Sequence, residues 1–151
     1  DLKPENILLD DSNHAKLSDF GISCLIDPET QSQSRTEGVG TLLFMAPELL
    51  NGNTHYGQKV DVYSFGFVMF FVLTGGLYPN ISIGSAAIGK RAEIPNCINK
   101  VSRNLINNCW ETDPDQRPSF LEIIDYIKNN KFILIDGIKK DTQKIREFLN
   151  L

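Results

Sequence analysis

Apolar positions along this chain gather into a few blocks separated by polar stretches. The densest block is residues 58–74, where Val60, Val62, Phe65, Phe67, Val68, Met69, Phe70, Phe71, Val72 and Leu73 leave almost no polar face. A helix that is apolar all round has no side to give to solvent, so the pattern predicts a helix buried through the centre of a domain. Polar groups occur only in its first turns, where Asp61 suits the positive end of the helix dipole. Gly75-Gly76 tolerate positive φ and Pro79 prevents resumption, which places the helix end there. Two further segments show helical spacing: residues 98–110, through Ile98, Val101, Leu105, Ile106, Cys109 and Trp110, and residues 119–128, through Phe120, Ile123, Ile124 and Ile127. Both predict helices packed on the first, with Trp110 in the core and Pro118 suiting a helix start. Near the beginning, Ile7-Leu8-Leu9 and Ala15-Lys16-Leu17-Ser18 flank Asp10-Asp11-Ser12-Asn13-His14, whose Asx and Ser side chains favour a tight turn. A small hairpin follows, with His14 facing solvent in its turn.

Residues 27–38 read DPETQSQSRTEG and cannot bury enough surface to order themselves, which predicts a mobile loop long enough to be functional. Asp141 is placed to cap a last short helix, residues 142–150, with Ile145, Phe148 and Leu149 on one face. The 151 residues, 41% hydrophobic and 23% charged, suit one domain with a sizeable core. A net charge of −4 gives no electrostatic footprint for nucleic acid or an anionic membrane. The longest apolar run, residues 62–73, falls well short of the roughly twenty residues a membrane span needs. Cys24, Cys97 and Cys109 are odd in number and widely spaced, which excludes a C-x-x-C zinc or disulfide framework and predicts buried free thiols in a reducing, cytoplasmic setting.

The candidate chemistry lies at the start. Asp1-Leu2-Lys3-Pro4-Glu5-Asn6 groups a carboxylate, an ammonium and a carboxamide in one short loop, a set suited to Mg-phosphate chemistry rather than to core packing. The hairpin returns the chain from Asn6 to Asp19-Phe20-Gly21, thirteen residues on, so that two oxygen ligands can converge. Ala46-Pro47-Glu48 follows beyond the polar loop, and Asn108-Cys109-Trp110 with Asp113-Pro114-Asp115-Gln116-Arg117-Pro118 lies further along. In these motifs, their order and their spacing, residues 1–130 resemble the C-terminal lobe of a eukaryotic-type protein kinase. The Lys of D-L-K-x-x-N together with the C-W and D-P-x-x-R-P motifs is most similar to the tyrosine-kinase-like group of Ser/Thr kinases.

The resemblance implies a mainly α (α+β) lobe: a helical bundle around a buried central helix, with a small β-hairpin carrying the catalytic and Mg-binding loops. It implies ATP and Mg²⁺ as cofactors and a protein Ser/Thr hydroxyl as acceptor. Asp1 would orient the attacking hydroxyl and take its proton, Lys3 would sit near the transferring phosphoryl, and Asn6 and Asp19 would ligate Mg²⁺. Asp61 would accept backbone N–H bonds from the catalytic loop and so position Asp1. Residues 27–38 would lie in the activation segment, with Ser32, Ser34 and Thr36 as phosphate acceptors, and Thr41 matches the Ser/Thr pattern. Arg117 would pair with Glu48 and anchor that segment from below. The Gly-rich loop, the strand lysine and the His-Arg that precedes the catalytic Asp are not in this sequence. A chain starting with Asp is accordingly expected to be a fragment that needs an N-lobe in cis and is inactive alone, with residues 131–151 as a C-terminal extension. The alternative class is a pseudokinase or kinase-derived scaffold, against which intact Asp1, Asn6 and Asp19 argue. A metal-dependent phosphatase or nuclease using Asp1 and Asp19 would leave Ala46-Pro47-Glu48 and Arg117 without a role.

Overall fold

The computed structural model describes residues 1–21, 42–53 and 56–130. After a 3-10 turn at Pro4–Asn6, strands β1 (Ile7–Leu9) and β2 (Ala15–Leu17) pair antiparallel, with Ile7 opposite Leu17 and Leu9 opposite Ala15. Helices α1 (Pro47–Leu50), α2 (Lys59–Leu73), α3 (Ile83–Ala87), α4 (Lys100–Cys109) and α5 (Phe120–Asn130) follow. The fold is mostly helical with one two-stranded sheet, in line with the class read from the sequence.

The hairpin turn closes on Asp10, whose Oδ1 accepts from the backbone N–H groups of Ser12 (3.0 Å) and His14 (2.9 Å). Asn13 takes φ +62°, which Asn tolerates better than most residues. His14 is exposed and its Nδ1 lies 3.3 Å from the Asp10 carboxylate.

Helix α2 is the axis of the core. Val62, Tyr63, Phe67, Val68, Met69, Phe70 and Leu73 are buried around its circumference, as its apolar composition requires, although Val72 in its last turn is exposed. It crosses α4 closely enough that a Cβ added at Gly66 would sit 3.1 Å from the Cys109 Cβ, so a larger residue would press the two helices apart by a few tenths of an ångström. Trp110 seals the contact, its ring 5.1 Å from that of Phe67 and 6.0 Å from that of Phe70. Gly75 and Gly76, at φ +73° and +100°, then turn the chain out of the helix.

Two helix starts differ from the sequence reading. Helix α4 starts at Lys100 because Asn99 caps it, accepting from the Ser102 N–H at 2.9 Å; Ile98 packs in the core outside the helix. Helix α5 starts at Phe120 because Ser119 and Glu122 form a reciprocal capping box, and Pro118 precedes the cap instead of opening the helix. The inner face of α5 is Ile123, Tyr126 and Ile127, whereas Ile124 is exposed. Helix α3, absent from the sequence reading, is a single short turn capped by Ser82. Cys109 is buried, but Cys97 is exposed, contrary to the expectation of buried thiols: it lies on the approach to α4 rather than on a helix face. Cys24 and the helix expected over residues 142–150 lie outside the described residues. Among the described residues no helix is long and apolar enough to cross a membrane.

Candidate active site

The 3-10 turn at Pro4–Asn6 folds the first loop back on itself. Its start is preset by the fixed φ of Pro4. The turn brings Asn6, which is buried, under Asp1: the Asn6 Nδ2 donates to the Asp1 carbonyl at 2.8 Å and to the Asp1 Oδ2 at 3.2 Å. Lys3 Nζ meets the same Oδ2 at 2.5 Å. Three of the predicted residues therefore share one small cluster. Because Asn6 donates through its nitrogen, its Oδ1 on the other branch of the amide is the atom suited to a hard cation.

Asp19 joins this cluster through its neighbour. Ser18 donates twice to the Asn6 carbonyl, from its N–H at 2.9 Å and from its Oγ at 3.1 Å, pinning the far end of the hairpin beside the near end. Asp19 itself takes φ +55° and is exposed, with Oδ1 accepting from the Gly21 N–H at 3.3 Å. Asn6 and Asp19 are oxygen donors, the kind Mg²⁺ takes in ones and twos alongside substrate phosphates. Ser18 was not singled out in the sequence, although its place directly before Asp19 was the available signal.

Asp61 stands apart from these contacts. It lies exposed in the first turn of α2, and among the described residues no hydrogen bond links it to the Asp1–Asn6 loop. Its carboxyl pKa is held above the usual range by desolvation from the surrounding protein.

Glu48 and Arg117 form the best-built polar centre. Arg117 is 1% exposed, and its guanidinium makes a bidentate pair with Glu48, at 2.7 Å to Oε1 and 2.8 Å to Oε2. The remaining donors reach the carbonyls of Glu111 (2.7 Å), Lys59 (2.8 Å) and Thr112 (3.1 Å), and the Tyr63 ring lies 5.0 Å beneath. Lys59 Nζ in turn donates to the Arg117 carbonyl. This centre ties α1, which follows directly on Ala46, to the start of α2 and to the turn before α5. Thr41, Ser32, Ser34 and Thr36 lie outside the described residues.

Sequence reasoning passed over two more contacts near the loop. The Tyr78 hydroxyl donates to Glu5 at 2.8 Å, across 73 residues, and its ring packs against Phe71 (5.1 Å) and Phe44 (6.2 Å). Arg91 stacks on the face of Tyr63 at 5.1 Å. Neither pairing has a local sequence signal.

Comparison with known proteins adds to this geometry. The protein kinase domain family matches residues 1–132. A probable serine/threonine-protein kinase of Dictyostelium discoideum is 37% identical, over 90% of this chain and 10% of its own length. The serine/threonine/tyrosine-protein kinase HT1 of Arabidopsis thaliana is 34% identical, over 91% of this chain and 36% of its own length. The receptor-interacting serine/threonine-protein kinase 3 of Rattus norvegicus is 33% identical, over 99% of this chain and 35% of its own length. The chain thus spans between about a tenth and about a third of these relatives. With its loop, hairpin and Glu48–Arg117 anchor in the order of the matched motifs, this chain belongs to the protein kinase domain family.

Proposed function

We propose that residues 1–130 are the C-terminal lobe of a serine/threonine-protein kinase of the tyrosine-kinase-like group, transferring the ATP γ-phosphate to a protein Ser or Thr. The observation that carries this reading is the convergence of Asn6 on Asp1, with Ser18 holding the Asp19 end of the hairpin to Asn6. Lys3 and Asn6 both engage Asp1 Oδ2, so Oδ1 is the oxygen that meets the acceptor hydroxyl and takes its proton. Lys3, on the same loop, supplies a cation to the charge spread over the phosphoryl oxygens. Asn6 and Asp19 would hold Mg²⁺, which when bound would supply positive charge to the ATP phosphates. Asp61 serves to position Asp1 and does not react.

The ATP-gripping lobe belongs to a segment in cis outside this sequence. The exposure of Leu8, Leu9, Leu17 and Phe20 on and beside the hairpin supports a covering partner there, since single exposed leucines are ordinary but a cluster beside a catalytic loop is not. Ser32, Ser34 and Thr36 are proposed phosphate acceptors of the activation segment and Thr41 a substrate-side residue, residues 131–151 a C-terminal extension, and the setting cytoplasmic.

The test uses the protein carrying its ATP-binding lobe, with peptides that differ only in Ser, Thr or Tyr at the acceptor. Transfer to Ser or Thr is expected. A short aliphatic hydroxyl reaches Asp1 only from a closely docked peptide, and a phenol would overshoot the in-line position. Preferential tyrosine phosphorylation would overturn the acceptor assignment, and no transfer at all would favour a scaffold.

A further inference from the structure

Residues 77–91 form a strap bonded at its start to the Asp1 loop and further along to Asn51 and to the end of α4. At its start Tyr78 donates to Glu5 of the Asp1 loop. Midway, the Ala87 carbonyl accepts from Asn51 Nδ2 at 3.4 Å, just past α1, the element that follows Ala46-Pro47-Glu48. At its end stands Arg91, half-buried, with four hydrogen bonds: Nε to the Trp110 carbonyl at 2.5 Å, Nη1 to the carbonyls of Ala86 (3.1 Å) and Lys90 (2.7 Å), and Nη2 to the Thr112 Oγ1 at 3.1 Å.

One guanidinium therefore closes α3 on itself and fastens it to the C-terminal end of α4. Gly89, at φ +86°, approaches so closely that an added Cβ would lie 3.0 Å from the same Thr112 Oγ1. The stack continues inward: Arg91 covers one face of Tyr63, which also carries Arg117 5.0 Å from its centroid. The Tyr63 hydroxyl is buried with no hydrogen-bond partner among the described residues, so the ring is held by its faces rather than its tip. Arg91, Tyr63, Arg117 and Glu48 thus link the strap to α1 in one continuous stack.

We propose that Arg91 is a positioning residue for the protein substrate, locking residues 77–91 as a fixed wall beside the Asp1 loop. This rests on the kinase reading above. A planar fork with five donors is needed to hold these acceptors together, and a lysine cannot reach them at once.

The experiment takes the full-length protein, with casein as the probe, and compares wild type, Arg91→Met and Thr112→Val. Arg91→Met is expected to raise KM for casein about tenfold with kcat and the KM for ATP within about twofold, the signature of lost ground-state docking. Thr112→Val removes one of the four bonds and should move KM the same way by about two- to threefold, which keeps the test valid if Arg91→Met fails to fold. Amide exchange at residues 83–91 should quicken in both variants while that of α4 does not change. Transfer by the wild type with an unchanged casein KM in the folded variants, or a fall in kcat alone, would overturn the role of Arg91. Absence of transfer by the wild type would instead overturn the kinase reading.

Discussion

Neutralising Glu48 tests the anchor that ties α1 to the start of α2. Glu48→Gln keeps the shape of the side chain but removes its charge and turns one oxygen into a donor facing the Arg117 Nη2 or Nη1. Arg117 would then remain charged at 1% exposure, with three backbone carbonyls and the Tyr63 ring as its partners. Leaving a buried charge without its counter-ion costs roughly 3 to 5 kcal/mol. The surviving carbonyl bonds place Glu48→Gln near the lower end, at about 3 kcal/mol. Arg117→Met should cost more, about 5 kcal/mol, because it strands the Glu48 carboxylate and also withdraws donors from the Glu111, Lys59 and Thr112 carbonyls. Urea unfolding measures both: with an m-value of about 2 kcal/mol per molar, the Glu48→Gln midpoint falls by about 1.5 M. The double variant should lose less than the sum of the singles, since the pair is removed once. A Glu48→Gln loss under about 1 kcal/mol would mean that the pair behaves as an exposed one and would refute the argument.

In the protein with its ATP-binding lobe, Asp19→Asn should suppress turnover by orders of magnitude while leaving stability within about 0.5 kcal/mol, because Asp19 is exposed. Near-normal kcat with a normal Mg²⁺ requirement would remove Asp19 from the metal site. In a Cys24→Ser variant, one thiol, Cys97, should react with a chromogenic disulfide at pH 8, and a second only in denaturant, since burial pushes the Cys109 thiol up to about 12. The Asp61 carboxyl binds its proton more tightly in the folded chain than in the unfolded one. Stability contributed by protonated Asp61 is thus lost as pH rises from the ordinary carboxylate value through the raised one, and Asp61→Asn should make this chain more stable at neutral pH. A thermal melt at pH 7 that falls on this substitution would point to bonds Asp61 accepts elsewhere.

Two elements were legible in the sequence for local reasons. Helix α2 was recognisable because nothing but burial accommodates its composition, and the hairpin because its turn residues close it locally through Asp10. Boundaries slipped where a side-chain cap outweighed the apolar pattern, at Asn99 and at Ser119 with Glu122. Helix α3 escaped notice because five residues span little more than a turn and carry no period to detect. Within the site, Asp1, Lys3 and Asn6 are close in sequence and so had to be close in space; Asp19 follows from the hairpin.

Composition and periodicity were enough to place the central helix, its two packed neighbours and the hairpin beside the loop that carries Asp1, Lys3 and Asn6, because these properties depend on neighbours within a few residues. The contacts that organise the lobe were settled only in three dimensions. Glu48 and Arg117 are 69 residues apart, Glu5 and Tyr78 are 73 apart, and each pair meets only after the helices have packed on α2. The resemblance to kinases implied the first pairing, but not its bidentate geometry or its three carbonyl partners; Arg91 on Tyr63 was not implied at all. The physical reason is that local sequence sets which face of a helix is apolar, whereas the offset between helices comes from side chains interdigitating, as at Gly66 against Cys109, and that offset decides which polar groups finally meet.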